Sequence, residues 1–230
     1  MSDRLVSGGA TGATERVPAE AHPAATIVLV RPAPGGREVL LLRRPPNSAF
    51  APDAWVFPGG RVDAADRDFD HARLADGPEP VQWAATLTLD EPREASAYAV
   101  AALREAWEET GILLAAAGDR PPGCDEARQE LLAGTRTLAH YLEAAHLRLA
   151  TGRLRYVGHR LTPVWLPRRF DTRFVLAEVA SETRCELVGG ELVDFRWTRP
   201  ERALRAAGTG EVRLLPPTLD TLQRLAQGEL

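Results

Sequence analysis

The sequence has few cysteines and no long hydrophobic run, and both absences exclude classes of protein. Cys124 and Cys185 lie far apart and match neither a zinc-binding nor a redox spacing, so they favour a reducing compartment over a disulfide framework. No window approaches the roughly 18 apolar residues that a membrane span needs, and the N-terminus has no apolar core of signal-peptide length. We therefore expect a cytoplasmic protein without a membrane partner, with a flexible N-terminal segment over residues 1–22.

The sequence also lacks an excess of positive charge. Its 28 basic residues are outnumbered by 32 acidic ones, which gives a net charge of −4. Because a broad basic surface is not expected, we predict no nucleic-acid partner, although individual arginines can still hold small anions. The chain has 230 residues, of which 44% are hydrophobic, and can bury one substantial core. We predict a single domain over residues 23–230.

Short aliphatic runs alternate with helical patterns along the chain. A Pro/Gly turn between residues 25–31 and 38–44 predicts a hairpin, and residues 54–60 predict a strand that Pro58 and Gly59 end sharply. Strands on both sides of a central helix predict a mixed sheet between helices. Further strands are predicted at 161–166, 173–180 and 192–198, and further helices at 90–111, 125–150 (two helices), 200–207 and 217–227.

The helix predicted from Asp90 to Gly111 carries an unusual group of charges near its end. Glu105, Glu108 and Glu109 follow helical spacing and share one face, where three carboxylates repel one another. A divalent cation relieves that repulsion, and carboxylate oxygens suit Mg²⁺ or Mn²⁺. The alternative interpretation is a solvated acidic face. The preceding glycine turn favours the metal site, because it can bring a backbone carbonyl close and leaves room for a phosphate.

The glycine turn and the segment "REAWEETGI" together resemble the Nudix box, G-x5-E-x7-R-E-U-x-E-E-x-G-U. Gly60 matches its first glycine, and the second half matches without exception, with the residues Arg104, Glu105, Ala106, Glu108, Glu109, Gly111 and Ile112. The resemblance implies an α+β fold, an α/β/α sandwich with a mixed β-sheet. It also implies an enzyme that hydrolyses a nucleoside diphosphate linked to another moiety, with a small-molecule substrate as its partner.

The chain departs from the family pattern in its spacing. The pattern has 13 residues between its first glycine and its arginine, whereas 43 residues separate Gly60 from Arg104. We interpret residues 61–90 as an insertion within the box, either a surface loop or a cover over the substrate. Trp83, in this polar segment, is a candidate for such a cover. Counting back from Arg104 puts the early glutamate of the pattern on Ser96, so that carboxylate is missing or displaced.

Two stretches resemble a long-insertion branch of the Nudix hydrolases, the branch of the mammalian peroxisomal coenzyme A diphosphatase. These stretches are "WVFPGGRVDAAD" and "RRFDTRFVLAE". This resemblance implies coenzyme A or acyl-CoA as substrate. ADP-ribose, NADH or another nucleotide diphosphate stays an alternative, as does a non-catalytic nucleotide-binding module. Residues 124–150 form a second, helical insertion, and the family implies a possible homodimer.

The resemblance assigns roles to the residues of the box. Glu105, Glu108 and Glu109, with the carbonyl of Gly59, are expected to hold Mg²⁺ or Mn²⁺, and Arg104 is expected to pair with Glu108 and fix its rotamer. A metal lowers the pKa of a bound water and neutralises phosphate oxygens. A carboxylate must accept the proton of the attacking water. The candidates for this general base are Glu109, Glu178, Glu182 and Glu191.

Arginines near the glycine turn are candidate ligands of the diphosphate. Arg43, Arg44 and Arg61 flank the turn, and Arg173 lies in the second stretch that resembles the branch. A guanidinium group can bind phosphate through two parallel hydrogen bonds. The alternative is that each of these arginines is only solvated at the end of a strand.

Overall fold

A mixed β-sheet forms the centre of the protein. The computed structural model describes residues 19–116 and 124–230. Within these residues eight strands form one sheet in the order β5-β6-β1-β2-β3-β8, with β4 paired to β1 and β7 to β2. The β1/β6 and β3/β8 pairs are parallel and the others antiparallel. The strands are β1 Ala21–Ala33, β2 Gly36–Arg43, β3 Ala54–Val56, β4 Gly59–Arg61, β5 Arg155–Leu161, β6 Arg169–Glu178, β7 Asp194–Thr198 and β8 Arg213–Leu214.

Helices cover both faces of this sheet. The helices are α1 Ala64–Arg67, α2 His71–Leu74, α3 Pro80–Leu87, α4 Pro92–Thr110, α5 Cys124–Leu132, α6 Leu138–Ala144, α7 Pro200–Gly208 and α8 Pro216–Ala226. Side chains alternate along β2, so Leu40 and Leu42 pack with α4 in one core cluster. Leu41 packs in a second cluster with residues of α7 and α8. The predicted mixed-sheet α/β/α sandwich is confirmed.

The long helix α4 lies against the sheet, as the sequence predicts. Pro92 stands in its first turn, where a missing N–H costs nothing. Its alanine-rich interior is buried, and Gly111 ends it with φ +73°, in the left-handed region that favours glycine. Although α4 is 19 residues long, no helix in the described parts of the chain is both long and apolar enough to cross a bilayer.

Residues 61–90 are an ordered part of the fold. Three short helices, α1 to α3, occupy most of the segment, and α1 and α3 pack on α4. The prediction of Trp83 as part of a cover is wrong, because its side chain is only 2% exposed and lies in the main core with Leu87. Burial of a large aromatic side chain stabilises this segment against α4. The segment is therefore packed against α4 as part of the main core.

Several boundaries differ from the sequence predictions. Residues 54–60 do not form one strand: β3 ends at Val56, and Gly59 begins β4 instead of ending a strand. Residues 161–166 are not a strand: β5 ends at Leu161, a turn follows, and Trp165 is 80% exposed. The two helices predicted within 125–150 are present, but α6 ends at Ala144, since His146 adopts a positive φ of 53°. Of the segment 1–22, which the sequence predicts to be flexible, residues 1–18 lie outside the described residues. Its last two residues belong to β1, which pairs with β6 from Ala21 onward.

Candidate active site

The glycine turn and the acidic end of α4 lie against each other. The backbone N–H of Gly59 donates a hydrogen bond of 3.0 Å to Oε2 of Glu109. A Cβ atom at Gly60 would lie 2.3 Å from Oε1 of Glu105, so a side chain at this position would displace the carboxylate. Gly60 is thus needed for the close approach of β4 to α4, whereas a side chain at Gly59 would meet the backbone of β1 at Ala25 and Thr26. Segments that lie 43 residues apart in the sequence form one site.

Arg104 holds two of the three glutamates. Its Nη1 donates to Oε1 of Glu105 at 2.9 Å and to Oε2 of Glu108 at 2.8 Å. Its Nη2 also donates to the carbonyl oxygen of Arg61 at 2.9 Å. Arg104 is buried, and the glutamate side chains are only 13% and 18% exposed. These contacts do not describe a solvated acidic face, the alternative that the sequence left open.

Asp66 is a buried member of this site that the sequence analysis missed. Its two carboxylate oxygens accept hydrogen bonds of 2.9 Å from Nε and Nη2 of Arg104, and the residue is 3% exposed. A further hydrogen bond from the N–H of Asp63 fixes the carboxylate at the start of α1. A signal was present: counting forward from Gly60, rather than back from Arg104, puts Asp66 at the early acidic position of the Nudix box.

The residues indicated by the backward count lie elsewhere. Ser96 donates its hydroxyl to the carbonyl oxygen of Arg93, one turn earlier in α4. Glu94 accepts hydrogen bonds of 2.6 and 2.8 Å from the guanidinium of Arg67. Glu94 therefore joins α4 to residues 61–90, whereas Ser96 bonds within α4, and the extra length of the box follows Asp66.

Burial governs the protonation of the carboxylates. It raises the pKa of Glu105 to about 7, against the opposing charge of Arg104. Burial and the charge of Glu105 raise the pKa of Glu109 to about 8. Burial also raises the pKa of Glu108. The pKa of Arg104 is raised too, because its carboxylate partners outweigh the effect of burial. Placing negative charge on all three glutamates is costly without a further cation.

The donor atoms suit a hard divalent ion, although they do not yet converge on one point. Within the described ranges no group of three or more His, Cys, Asp or Glu side chains is arranged to hold a metal. Glu105 and Glu108 face Arg104, and Glu109 faces the N–H of Gly59. Three buried carboxylates with raised pKa values are nonetheless the oxygen donors that Mg²⁺ or Mn²⁺ prefers. The residues therefore fit such an ion if the carboxylates give up these hydrogen bonds to Arg104 and Gly59 and bind the ion instead.

The four predicted substrate-binding arginines lie in different surroundings. Arg44 lies close enough for its charge to lower the pKa of Glu109, and its guanidinium donates to the carbonyl oxygen of Phe50. Arg43 is turned to Asp53, 2.7 Å away. Arg61 is exposed and only its backbone contacts Arg104.

Arg173 is the buried member of the four. Its guanidinium lies 5.8 Å from the ring centroid of Tyr98 on α4, and its Nε has no hydrogen-bond partner. It occupies one row of the sheet with Ala25 and Gly60, two strands away from the glycine turn. Among these four arginines, Arg44 is therefore the one whose charge acts on Glu109, and Arg173 lies farther along the same face of the sheet.

The four candidates for the general base differ in their position relative to the site. Glu109 is part of the site, and the charge of Glu191 raises its pKa. Glu178 ends β6 with its side chain exposed. Glu182 is exposed and accepts a hydrogen bond from Ser181. Glu109, which belongs to the site, and Glu191, whose charge acts on Glu109, are thus the favoured candidates for the general base.

Arg128, from the helical insertion, supports the end of α4. It is 2% exposed, and its Nη2 donates to the carbonyl oxygens of Glu108 at 2.8 Å and Glu186 at 2.9 Å. The N–H of Glu186 in turn donates to the carbonyl oxygen of Thr110. A cation at a helix C-terminus satisfies carbonyl groups that lack an intrahelical partner. Arg128 therefore joins α4 to the segment that leads to Glu191.

The sandwich, the glycine turn and the acidic end of α4 define a protein of the Nudix hydrolase class. More narrowly, the chain belongs to the family described as the NUDT19 Nudix domain, whose model matches residues 19–225. The resemblance noted in the sequence is thereby confirmed, and the family is one of diphosphate-hydrolysing enzymes.

Individual relatives agree with this family. The chain is similar to acyl-coenzyme A diphosphatase NUDT19 of Homo sapiens, at 32% identity over 85% of this chain and 62% of that protein. The NUDT19 protein of Gallus gallus is 32% identical over 88% of this chain and 67% of its own length. This chain thus spans less than two thirds of the length of the human protein and 67% of the chicken protein. A crystal structure of a NUDIX hydrolase from Alicyclobacillus acidocaldarius superposes with a TM-score of 0.76, at 32% identity, covering 90% of this chain and 91% of that one.

Proposed function

We propose that this protein hydrolyses a nucleoside diphosphate linked to another moiety, with coenzyme A or an acyl-CoA as substrate. The observation that carries the proposal is the contact of Glu105 and Glu109 with the turn at Gly59 and Gly60, with Glu108 held beside Glu105 by Arg104. The substrate class is supported by the names of the human and chicken relatives, which are acyl-coenzyme A diphosphatases. ADP-ribose, NADH and other nucleotide diphosphates share the diphosphate and form the alternative substrate class.

The carboxylates of Glu105, Glu108 and Glu109 would hold Mg²⁺ or Mn²⁺, with the carbonyl of Gly59 as a further ligand. When bound, such an ion lowers the pKa of water and neutralises charge on phosphate oxygens. Arg104 keeps Glu105 and Glu108 in defined rotamers through hydrogen bonds of 2.9 and 2.8 Å. These contacts preorganise the acids for the reaction.

A carboxylate oxygen of Glu109 is the proposed acceptor of the proton from the attacking water. Burial raises the pKa of Glu109 to about 8, so near neutral pH this group can both gain and lose a proton. Glu191 is the alternative acceptor. Its charge raises the pKa of Glu109, which indicates electrostatic contact between the two candidates.

The guanidinium of Arg44 is the proposed first contact of the diphosphate, since its charge acts on Glu109. Arg43, Arg61 and Arg173 are proposed to contact parts of the substrate farther from the carboxylates. For Arg173 the support is a buried Nε without a hydrogen-bond partner, whose carboxylate neighbour Asp171 is 3.8 Å away, because an anion at hydrogen-bond distance would stabilise this group.

Incubation with a panel of diphosphates tests the proposal. Coenzyme A, an acyl-CoA, ADP-ribose and NADH are each supplied with Mg²⁺ or Mn²⁺, and products are identified by mass. We expect cleavage of coenzyme A or acyl-CoA in the wild-type protein and its loss in Glu108→Gln. Glu201→Gln, at an exposed glutamate on α7, is the matched control and should retain activity. Nucleotide binding without turnover of any substrate would contradict the proposal and support a non-catalytic module.

Three properties of the whole protein stay predictions. We expect a cytoplasmic protein that binds no nucleic acid, because the net charge is −4 and the composition offers no basic excess. A homodimer is the predicted oligomeric state from the family resemblance. Light scattering coupled to size-exclusion chromatography tests the dimer directly, and a monomer mass near 25.0 kDa would exclude it.

A further inference from the structure

A cavity of about 500 Å³ lies between the sheet and α7. Leu41 and Trp55, from β2 and β3, contribute apolar lining. Its charged lining consists of three arginines and one glutamate: Arg196 from β7, Arg202 and Arg205 from α7, and Glu211. Two secondary-structure elements thus bring three cations to one concave site.

This cavity lies on the opposite side of the sheet from the candidate active site. Its residues Leu41, Trp55 and Ala203 belong to the core cluster that packs under α7 and α8. Neighbours of Leu41 in β2, by contrast, pack in the cluster that contains α4. Because successive side chains of a strand point to opposite faces, the sheet separates the cavity from the glutamates of α4.

The arginines of the cavity are poorly compensated. The guanidinium of Arg196 lies 4.9 Å from the ring centroid of Trp55, and its Nη1 is 3.8 Å from Glu211. Among the described residues Arg202 and Arg205 have no side-chain hydrogen bond or ion pair. Most other arginines in the structure contact a carboxylate or a carbonyl oxygen, as Arg31 does with Glu38. Of the three, Arg196 alone has an acidic partner within the described part of the chain, and the exposed guanidinium groups of Arg202 and Arg205 are compensated only by solvent.

The spacing of these groups suits an oxyanion. Arg202 and Arg205 are three residues apart on α7, so they lie on the same side of the helix, and both line the cavity together with Arg196. All 28 basic residues of the chain are arginine, whose guanidinium presents parallel N–H donors that match phosphate oxygens. Stacking on Trp55 limits the motion of Arg196 and reduces the entropy lost on binding.

We propose that this cavity is a second anion site, which binds the phosphate group of a small molecule away from the hydrolase site. The three guanidinium groups supply the hydrogen bonds, and the ring of Trp55 forms one wall. Free phosphate and the terminal phosphate of a nucleotide offer the same chemistry. The proposal does not depend on the proposed hydrolase activity, because none of its residues contacts the carboxylates of α4.

Titration calorimetry with inorganic phosphate tests the site. At constant ionic strength we expect saturable binding to the wild-type protein and at least about tenfold weaker binding to the double variant Arg202→Ala/Arg205→Ala, which loses two guanidinium groups. The matched control is Arg155→Ala/Arg168→Ala, which removes two exposed arginines elsewhere and should bind as the wild type does. Equal affinity in the double variant and the control, or no binding to the wild type, would overturn the proposal.

Two further arms identify the source of the phosphate and the location of binding. In one arm ADP replaces inorganic phosphate. If ADP binds more strongly than phosphate, and if this binding is lost in Arg202→Ala/Arg205→Ala, the site is assigned to nucleotides. In the other, tryptophan fluorescence is followed during the titration. We expect the signal change to disappear in Trp55→Phe and to persist in Trp165→Phe, whose side chain is 80% exposed and outside the cavity lining. A signal change that persists in Trp55→Phe would contradict the location.

Discussion

The charged side chains on the two faces of the sheet differ in burial and in pairing. On the face of α4, the carboxylates of Glu105 and Glu108 are bound to the buried Arg104, which in turn is bound to the buried Asp66. On the face of α7, Arg202 and Arg205 are exposed and without a side-chain partner in the described residues. Substitutions on the first face should therefore affect stability and activity together, whereas substitutions on the second should affect only ligand binding.

Loss of a carboxylate on the first face should have the largest effect. We expect Glu108→Gln to lower kcat by about a thousandfold, because one charged group that stabilises the transition state is lost. Steady-state kinetics with whichever diphosphate of the panel is cleaved provide the measurement. The variant should bind inorganic phosphate as the wild type does, since Arg202 and Arg205 lie across the sheet. Glu211→Gln, on the face of α7, should leave kcat unchanged. A loss of activity in this variant would contradict the independence of the two faces.

The buried pair of Asp66 and Arg104 should dominate stability. We expect Asp66→Ala to lower the free energy of unfolding by about 3 kcal/mol, because it leaves a buried guanidinium without its main partner. Denaturant titration provides the measurement. Asp63→Ala is the control: Asp63 is 63% exposed on its side chain and lies 3.7 Å from Arg104, so its loss should cost about 1 kcal/mol or less. Equal costs would contradict a special role for Asp66.

Arg128 tests whether the helical insertion supports the site. We expect Arg128→Met to lower the free energy of unfolding by about 2 kcal/mol, because hydrogen bonds from a charged donor to the carbonyls of Glu108 and Glu186 are lost. A role in positioning the acids predicts a fall in kcat of about tenfold with little change in KM. Arg136→Met, which removes an exposed ion pair with Glu130, is the control. Unchanged kcat in Arg128→Met would restrict Arg128 to a structural role.

The smallest expected effect is a dependence of stability on pH. Glu105 and Glu109 have folded pKa values raised to about 7 and about 8, so the folded state holds protons that the unfolded state releases near 4.5. The stability of the metal-free protein should therefore fall by at least about 1 kcal/mol as the pH rises from 5 to 8.5. Groups that act on Glu109 include Glu105, Arg44 and Glu191. Thermal unfolding across this range provides the measurement.

Two further samples check the origin of this slope. Glu109→Gln should flatten it, because a group that takes up a proton in the folded state is removed. Added Mg²⁺ should raise the melting temperature more at pH 8 than at pH 5.5, since a cation stabilises the ionised carboxylates. A slope of equal size in Glu109→Gln would assign the pH dependence to other groups.

Local patterns explain which elements the sequence predicted well. The helix α4 could be predicted because its proline start, alanine interior and glycine stop act within a few residues of the chain. The polar composition of residues 61–90 suggested a cover, yet Trp83 and Leu87 are buried against α4. Composition averages over a segment and cannot identify the few side chains that pack.

The sequence by itself determined the Nudix box, with Gly60 and the three glutamates at the spacing of one helical face, because helical periodicity is a local property. Only the tertiary structure decided that Asp66 is the buried partner of Arg104 and that Arg128 supports the end of α4. These contacts join residues 38 and 20 positions apart, and such distances in the chain are closed by packing of the whole core, which no local pattern encodes.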